Sequence, residues 1–375
     1  MFFYFYKKVW PFRGLYLSLH AMDKMKTCDV LIVGAGPAGA VCGSLLKQAG
    51  VECLIVDQAT FPRDKVCGGG LTVKAWRLLD MLLPGIKYDY RPITRMRGQF
   101  ENDPVCEFQS EFEIRMTRRK DFDYSLVKYY LEHGGQMMKG SFARFEQQAD
   151  GRVLVSLKSG EQISCRYLVG ADGANSLIRR QIHGEPKLNG LFLEQFNEGE
   201  KDDDVFVHFS SNYKPGVFYK FSSNGRDMYG FASMELNDDV PRLKAKFRET
   251  LTKFGVEVDR ICGAYIPLDT VPHTVDNVIL IGDAGGFANK LTGEGLYDAF
   301  ITAANAKRAI VEGKSFAETN AAEFRKMEHQ VKVFNFFFSP FGWRIIRRGM
   351  RYPKIIKWLF DAKMKRETFF KQKKQ

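Results

Sequence analysis

The sequence has little of what extracellular and metal-stabilised proteins use for cross-linking. It contains no CxxC pair, and none of its cysteines has a histidine at the spacing of a zinc site. The cysteines are also odd in number, which argues against a disulfide framework; they are Cys28, Cys42, Cys53, Cys67, Cys106, Cys165 and Cys262. We therefore expect no metal site and a cytoplasmic protein, attached peripherally to the inner face of the membrane if at all.

Long apolar runs are missing as well. No uninterrupted stretch reaches the roughly 18 to 20 residues that a spanning helix needs, so we expect no transmembrane segment. Residues 1–25 are aromatic, but Lys7 and Lys8 fall inside the apolar region, which is not the pattern of a signal peptide. We interpret this segment as an N-terminal extension, either an interfacial anchor or a stretch that precedes a true start at Met22 or Met25.

The net charge of +12 lies almost entirely in one segment. Residues 340–375 contain twelve Lys and Arg against two acids, a balance of +10, which leaves about +2 for the rest of the chain. The cations alternate with aromatic and aliphatic residues, as in a basic amphipathic segment on an anionic membrane. An interpretation at least as good is a terminal helix that packs on the body of the protein and exposes its cationic face to solvent. Because no nucleic-acid motif is present, we expect no nucleic-acid partner, and the sequence does not indicate an oligomeric state.

The first organised unit is a strand, a glycine turn, a helix and a second strand. Residues 28–33 predict a buried strand, "GAGPAG" at 34–39 a tight turn, 40–49 a helix, and "VECLIVD" a strand that ends in Asp57. The glycine motif follows a strand, opens a helix and is answered by an acid 18 residues after its last glycine. This arrangement predicts a dinucleotide site with the pyrophosphate at the helix N-terminus and the ribose on the acid.

Two later segments repeat this logic. "YLVGADGANS" and "NVILIGDAGGFANKLTGEGL" each run from a buried strand into a glycine-aspartate turn. They predict an α/β protein with a discontinuous Rossmann-like dinucleotide-binding domain, an inserted antiparallel β-sheet substrate domain and a C-terminal helical segment. The predicted ranges are 26–85, 115–185 and 268–315 for the first domain, 86–114 and 186–267 for the sheet, and 316–375 for the helical segment.

Together these motifs resemble the glutathione-reductase-type FAD fold in its para-hydroxybenzoate hydroxylase branch. Within that branch, "KVCGGGLT" and "LTGEGL" are most similar to the geranylgeranyl reductase family, flavoenzymes that saturate isoprenoid double bonds. The resemblance covers roughly residues 27–312. The FAD-binding residues that the motifs and the resemblance imply are Gly34, Gly36, Pro37, Ala38, Gly39, Asp57, Gln58, Cys67, Gly68, Gly70, Arg119, Ala143, Asp172, Gly282, Asp283, Gly293, Gly295 and Leu296.

The resemblance also implies how several of these residues act. The loop of Cys67, Gly68 and Gly70 would form a backbone wall beside the flavin, and Arg63 or Lys65 would hold the phosphates. Cys67 is a candidate catalytic residue, although most cysteines of this kind are small buried residues.

Three further cofactor contacts are implied for other parts of the chain. Arg119 would reach the FAD from its helix start, although an exposed basic helix has the same pattern. The stretch "MMKGSFARFE" predicts a strand, from which Ala143 would present backbone to the adenine. The helix that opens at residues 293–296 would stabilise negative charge on the reduced flavin. Glu294 there is either a proton donor or an acid favoured by the helix dipole, and the dipole is the simpler reason.

The chain departs from the family's sequence pattern at two places, one in the predicted sheet and one in the loop before "LTGEG". Tyr219-Lys220-Phe221-Ser222 stands where the family has an aromatic Trp-x-Phe-Pro strand, and Lys290 stands where a proline is common. Tyr219 is a second candidate catalytic residue, and with Phe221 it could grip a prenyl chain, although such aromatic stripes are more often ordinary core.

These residues predict an FAD-dependent oxidoreductase that reduces carbon–carbon double bonds of an isoprenoid lipid or quinone. An aromatic monooxygenase of the same fold is the first alternative, although "GDAGGFANK" lacks that class's usual Gly-Asp-Ala-Ala-His. A flavin-binding membrane adaptor without turnover is the second. No second GxGxxG is present, so the electron donor, NAD(P)H or ferredoxin, stays open.

Overall fold

A computed structural model describes residues 25–187, 189–199, 203–223, 225–234, 239–271 and 277–369. The predictions for most of the N-terminal extension and for the last six residues lie outside these ranges. Within the described ranges the strands are β1 Lys26–Val33, β2 Cys53–Asp57, β3 Gly70–Leu71, β4 Arg91–Phe100, β5 Cys106–Met116, β6 Gln136–Lys139, β7 Phe142–Gln147, β8 Val153–Leu157, β9 Gln162–Gly170, β10 Asn189–Glu198, β11 Val205–Phe209, β12 Gly216–Ser223, β13 Arg226–Ser233, β14 Cys262–Pro267 and β15 Val278–Leu280. The helices are α1 Pro37–Gln48, α2 Val73–Leu82, α3 Arg119–Glu132, α4 Leu177–His183, α5 Val240–Lys253, α6 Leu296–Glu312, α7 Phe316–Thr319, α8 Ala321–Phe338, α9 Pro340–Gly349 and α10 Pro353–Phe369.

The first sheet has the order β6-β2-β1-β9-β8-β7, and β15 also pairs with β9. The four neighbours β6, β2, β1 and β9 are parallel, as is the β9–β15 pair. Residues 30–33 of β1 are buried, as expected for a parallel strand covered on both faces. The ends of β1 and β15, far apart in sequence, are thereby brought to the same edge, and each is followed by a glycine turn.

The second sheet has the order β14-β10-β13-β12-β11-β4-β5-β3. Its pairs are antiparallel except that β11 runs parallel to β4. The predicted fold class is confirmed, with this one parallel pair as a difference. β4 precedes the nucleotide-domain segment in the chain, and β11 follows it. The domain boundaries stay a prediction.

Two local predictions need correction. The first helix begins at Pro37 rather than residue 40, because Pro is well suited to the first helical turn. The stretch "MMKGSFARFE" forms two strands rather than one: β6 joins β2, while β7 pairs with β8 at the other end of the sheet.

The C-terminal helix α10 packs against the second sheet and against helix α2. In the sheet, α10 contacts β5, and α8 contacts α9. On α10, Phe360 contacts the ring of Phe108, and Asp361 accepts a hydrogen bond from Ser110 at 2.8 Å. In the described part of the chain, no helix is long and apolar enough to cross a membrane.

Candidate functional site

A cavity of about 870 Å³ lies between the two sheets. Its lining comes from the glycine turns of the first sheet, from the inner face of the second sheet and from α8 and α10. Ligand pockets of proteins commonly have volumes of about 300 to 1,000 Å³. The size of the cavity is therefore suited to a large ligand that touches both sheets. We call the side of the cavity that the glycine turns form its floor.

The turn after β1 contains glycines that the fold needs and one that it does not. A Cβ at Gly34, where φ is +104°, would lie 2.3 Å from the carbonyl oxygen of Ala171, and one at Gly39 would lie 1.8 Å from that of Gly34. A Cβ at Gly36 would meet only Arg63 Nη2, at 3.5 Å. The open space beside Gly36 is what a ligand approaching the backbone requires.

α1 begins at this turn with free backbone donors. Its N-cap is Gly36, no side chain caps it, and Pro37 and Ala38 also line the cavity. The first N–H groups of a helix have no partner within the helix and attract anions. This end of the cavity is therefore suited to a pyrophosphate.

Asp57 closes the turn from the end of β2. Its Oδ2 accepts a hydrogen bond from Ala35 N at 2.6 Å, and its Oδ1 accepts one from Ala59 N at 2.7 Å. A carboxylate has about four acceptor positions, so both oxygens can also accept hydroxyl hydrogens. Asp57 and Gln58 both line the cavity, where the ribose is expected.

Asp172 faces the cavity with one unused oxygen. Its Oδ2 accepts a hydrogen bond from Leu177 N at 2.9 Å, whereas its buried Oδ1 has no partner within the described ranges. Burial raises the pKa of this carboxyl. A buried polar atom without a partner is costly, and a hydroxyl or amide of a bound ligand would satisfy it.

The second glycine turn places another helix N-terminus at the cavity. α6 has Gly295 as its N-cap, again without a side-chain cap, and Gly293, Gly295 and Leu296 line the cavity. Asp283 lines it as well and follows Gly282, whose φ is +57°. The positive end of α6 would stabilise negative charge on a ligand there.

Glu294 is held by α2 and its cap rather than standing free. Its Oε1 accepts a hydrogen bond from Thr72 at 2.5 Å, and its Oε2 lies 2.7 Å from Lys74 Nζ. Lys74 lies 3.7 Å from Glu367 of α10. The residue therefore links the cofactor side of the cavity to the C-terminal helix, a contact that its sequence position did not indicate.

Arg119 is buried at the start of α3. Its guanidinium makes two bonds with Asp123, at 2.7 and 3.0 Å, and Arg63 Nη2 lies 3.4 Å from the same carboxylate. Arg63, Lys65 and Arg119 all line the cavity. A single carboxylate does not neutralise two guanidinium groups, so this wall carries excess positive charge toward any ligand.

The glycine triplet is packed by protein on two of its three positions. A Cβ at Gly68 would lie 2.6 Å from the Phe221 ring, and one at Gly69, where φ is +70°, would lie 2.0 Å from Thr117 O. Cys67 Sγ accepts a weak hydrogen bond from Gly69 N at 3.5 Å. Cys67 and the three glycines line the cavity as expected. At residue 68, however, glycine is required because the Phe221 ring of the second sheet leaves no room for a side chain.

The second sheet covers the cavity with aromatic residues. The rings of Tyr219 and Phe221 lie 5.0 Å apart, and Phe192 contacts Gly293. All three line the cavity. Lys290 is buried, and its ammonium donates to the carbonyl of Leu268, which places the lysine behind the loop rather than in the cavity lining.

Three of the predicted cofactor residues, Gly39, Ala143 and Gly282, are not among the residues that line the cavity. Gly39 and Gly282 belong to turns whose neighbouring residues line it, whereas Ala143 points away. It is exposed on β7, whereas Gly140 and Phe142 line the cavity. Sequence reasoning missed Glu194, Lys74 and the contribution of α8 and α10. For Glu194 a signal exists, because an acid stands between Phe192 and Phe196 on an otherwise apolar strand face.

Residues 27–239, more than half of the chain, match the family described as FAD binding domain. The chain belongs to the FAD-binding domain family. FAD fits the cavity on three observations already given: the open space at Gly36, the uncapped N-termini of α1 and α6, and the unused oxygen of Asp172.

Curated relatives of this FAD-binding chain include proteins named as reductases. It is 28% identical to the menaquinone reductase of Mycobacterium tuberculosis, over 72% of this chain and 73% of that protein. It is also 28% identical to the geranylgeranyl diphosphate reductase of Rhodobacter capsulatus, over 82% and 81%. The resemblance drawn from the sequence motifs is thereby confirmed.

Solved structures with this fold include a geranylgeranyl bacteriochlorophyll reductase-like protein from Thermoplasma acidophilum. Its TM-score is 0.68 at 19% identity, over 90% of this chain and 91% of that one. A probable FAD-dependent monooxygenase from Pseudomonas aeruginosa has a TM-score of 0.69 at 18% identity, over 87% and 99%. The fold alone therefore does not separate reductases from monooxygenases. With the family and the named relatives, the chain is an FAD-dependent oxidoreductase.

Proposed function

We propose that the protein reduces carbon–carbon double bonds of an isoprenoid lipid or prenylated quinone. The observation that carries the proposal is the aromatic cover of the cavity, where Phe192, Tyr219 and Phe221 face the glycine turns. A flat apolar wall opposite a cofactor floor suits an unsaturated hydrocarbon chain, and such surfaces exclude water. Two named relatives act on geranylgeranyl diphosphate and menaquinone.

Bound FAD would supply the hydride for this chemistry, after reduction by NAD(P)H or ferredoxin. The chain's own residues have the remaining tasks. The turn at Gly36 and the N-terminus of α1 would hold the pyrophosphate, and Asp57 would bind the ribose. Arg119 would add positive charge, and the N-terminus of α6 would stabilise negative charge on the flavin.

We further propose that the substrate enters from an anionic lipid surface at α8–α10. Phe337 and Phe338 of α8, together with Phe360 and Met364 of α10, line the cavity. The opposite side of α10 exposes Trp358, with 68% of its surface accessible. A single helix thus has one side in the cavity and an apolar side in solvent.

The exposed residues on these helices follow helical spacing. Phe341 and Ile345 are four residues apart on α9, and Ile355, Trp358 and Leu359 are three and four apart on α10, separations that place side chains on one helix face. Other exposed apolar residues of this region are Val331, Phe336 and Tyr352. The exposed cations Arg344, Arg348, Arg351 and Lys354 stand between them in sequence. Aromatic side chains with interspersed cations favour the boundary of an anionic membrane.

Anaerobic mixing tests the reductase proposal. The FAD-loaded protein, reduced without oxygen, is mixed with a geranylgeranyl lipid or with menaquinone. We expect the bound FAD to be re-oxidised as the substrate is consumed. Re-oxidation that occurs only with oxygen and is speeded by an aromatic substrate would favour the monooxygenase alternative, and bound FAD that no reductant reaches would favour the adaptor.

A further inference from the structure

Glu194 is a buried acid that the proposed function does not yet use. It lies in the middle of β10 with 3% of its surface exposed, and it lines the cavity together with the residues of the aromatic cover. Its Oε2 is buried and has no hydrogen-bond partner among the residues that the structure describes. Because an ionised carboxylate is costly in such surroundings, burial raises the pKa of Glu194 to about 7.

A glycine on the intervening strand lets Tyr219 reach this acid. Glu194 on β10 and Tyr219 on β12 are both paired with Gly230 of β13. A Cβ at Gly230 would lie 2.1 Å from the Tyr219 ring, so only glycine leaves room for the ring to lie across the strand. In this position the Tyr219 hydroxyl donates a hydrogen bond to Glu194 Oε1 at 3.3 Å.

Cations and a thiol surround the pair, and none of the described residues forms an ion pair with the acid. The groups that influence the two side chains come from the glycine-triplet loop, α3 and β13, and they are Lys65, Cys67, Arg119 and Arg226. The positive charge of Lys65, Arg119 and Arg226 opposes the effect of burial on the Glu194 pKa, and so does the Tyr219 hydrogen bond. Burial is the larger effect, and the carboxyl can hold a proton near neutral pH.

We propose that Glu194 donates the proton that completes double-bond reduction in this cavity, and that Tyr219 positions its carboxyl. The inference rests on the proposed reductase function, and it concerns the hydrogen that FAD does not deliver. Its basis is the unused oxygen of Glu194 in the lining shared with the cofactor floor. General acids of this type contribute about 10²- to 10⁴-fold to a rate.

The step balances with one reductant and one acid. The π bond of the double bond breaks and its electron pair forms a C–H bond with the Glu194 proton on one carbon, while the other carbon gains the hydride that reduced FAD would supply. The products are a saturated carbon–carbon bond, oxidised FAD and the Glu194 carboxylate. Water returns the proton to the carboxylate, and a two-electron equivalent from NAD(P)H or ferredoxin reduces the FAD again.

Single turnover of the Glu194→Gln variant tests the proton donor. The FAD-loaded variant, reduced without oxygen, is mixed with a geranylgeranyl lipid, and its re-oxidation rate is compared with that of the unchanged protein. We expect at least about a 100-fold loss, with FAD affinity within about twofold of the unchanged protein. The unchanged protein should slow as pH rises past the Glu194 pKa, and the variant should not. Equal rates in both proteins would overturn the inference.

Infrared spectroscopy provides a readout that needs no turnover. Protonated carboxyls give a carbonyl band, and the part of this band that comes from Glu194 should titrate with a midpoint near 7 in the FAD-loaded protein and be lost in Glu194→Gln. Asp298→Asn is the matched control, because burial raises the pKa of Asp298 to about 7 as well and this residue is outside the cavity lining. Tyr219→Phe should raise the midpoint, since the lost hydrogen bond lowers the pKa.

The two experiments separate failure of the inference from failure of the proposed function. An unchanged protein that reduces no lipid refutes the reductase proposal, whatever the infrared result. If the protein reduces lipid and Glu194→Gln, made in the Asp298→Asn background, removes no part of the neutral-pH band, Glu194 is not the proton donor. Should Glu194→Gln fail to fold, Tyr219→Phe decides: an unshifted midpoint together with an unchanged rate contradicts the inference.

Discussion

Gly68 of the glycine triplet lies directly against Phe221 of the second sheet, so close that a Cβ would stand 2.6 Å from the ring. It would also stand 2.7 Å from Met228 Cε. The loop that follows β2 and the inner face of the second sheet therefore meet at the cavity. This contact therefore sets the distance between the aromatic residues of the second sheet and the glycine-triplet loop.

Gly68→Ala should destabilise the protein by about 1 to 3 kcal/mol, because overpacking forces neighbouring side chains to move. Urea unfolding of the FAD-loaded protein measures the change. Gly349→Ala is the control, since its Cβ would meet only Ile356 Cδ1 at an ordinary 3.7 Å. If Gly68→Ala lowers the free energy of unfolding no more than Gly349→Ala does, the contact with Phe221 does not restrict residue 68 to glycine.

Gly36→Ala and Gly39→Ala should fail in different ways. At Gly39 the added carbon meets the Gly34 carbonyl at 1.8 Å, so folding itself should suffer. At Gly36 only the end of Arg63 is near, at 3.5 Å, so the apoprotein should unfold as before while FAD binds at least about tenfold more weakly. Fluorescence titration with FAD and urea unfolding of the apoprotein separate the two effects. Unchanged FAD affinity in Gly36→Ala would contradict the assigned phosphate turn.

Glu194 should make stability fall as pH rises through neutrality. Its folded pKa of about 7 lies above its ordinary 4.5, so the native state holds more protons than the unfolded state between these values. Stability is therefore lost as pH rises across that window, by roughly 3 kcal/mol for a shift of this size. Glu194→Gln should flatten the pH profile of urea unfolding relative to the exposed control Glu132→Gln. A profile as steep as the control's would contradict the raised pKa.

Trp358→Ala should weaken binding to vesicles that contain an anionic phospholipid. Burying a large apolar side chain is worth about 1.5 to 3 kcal/mol, which corresponds to roughly tenfold or more in affinity. Tyr265→Ala is the matched control, because Tyr265 is also a half-exposed aromatic residue but lies on β14. Co-sedimentation should fall with added salt. Equal loss in both variants, or equal binding to neutral vesicles, would contradict a lipid surface at α8–α10, and a salt-independent dimer would point to a second copy instead.

The parts of the fold that depend on neighbouring residues in sequence could be predicted. The unit from β1 to β2 has its turn glycines, its helix start and its closing acid within about thirty residues, and each has a local reason. The same holds for the turns that follow β9 and β15. The parallel pairing of β11 with β4 has no such local signal, because it depends on how two distant segments enter one sheet.

The candidate site shows the same division. Gly34 and Gly39 are explained within their own turn, whereas the need for glycine at residue 68 comes from Phe221, about 150 residues later. Glu194 stood in a strand pattern that predicted a sheet, but its partner Tyr219 becomes apparent only when β13 places Gly230 between them. The part of the cavity lining that α10 forms could not be predicted either. Its sequence indicated a membrane-surface segment or a terminal helix packed on the body, but not that one side of this helix lines a cavity.

The mass of the lipid that leaves the protein tests the central claim most directly. The FAD-loaded protein is reduced without oxygen, given a geranylgeranyl lipid or menaquinone, and extracted for mass spectrometry. The account predicts a product heavier by two hydrogens for each double bond reduced, with at least one deuterium per reduced bond when the reaction is run in D₂O. An unchanged lipid, or a product that has gained oxygen once air is admitted, would contradict it.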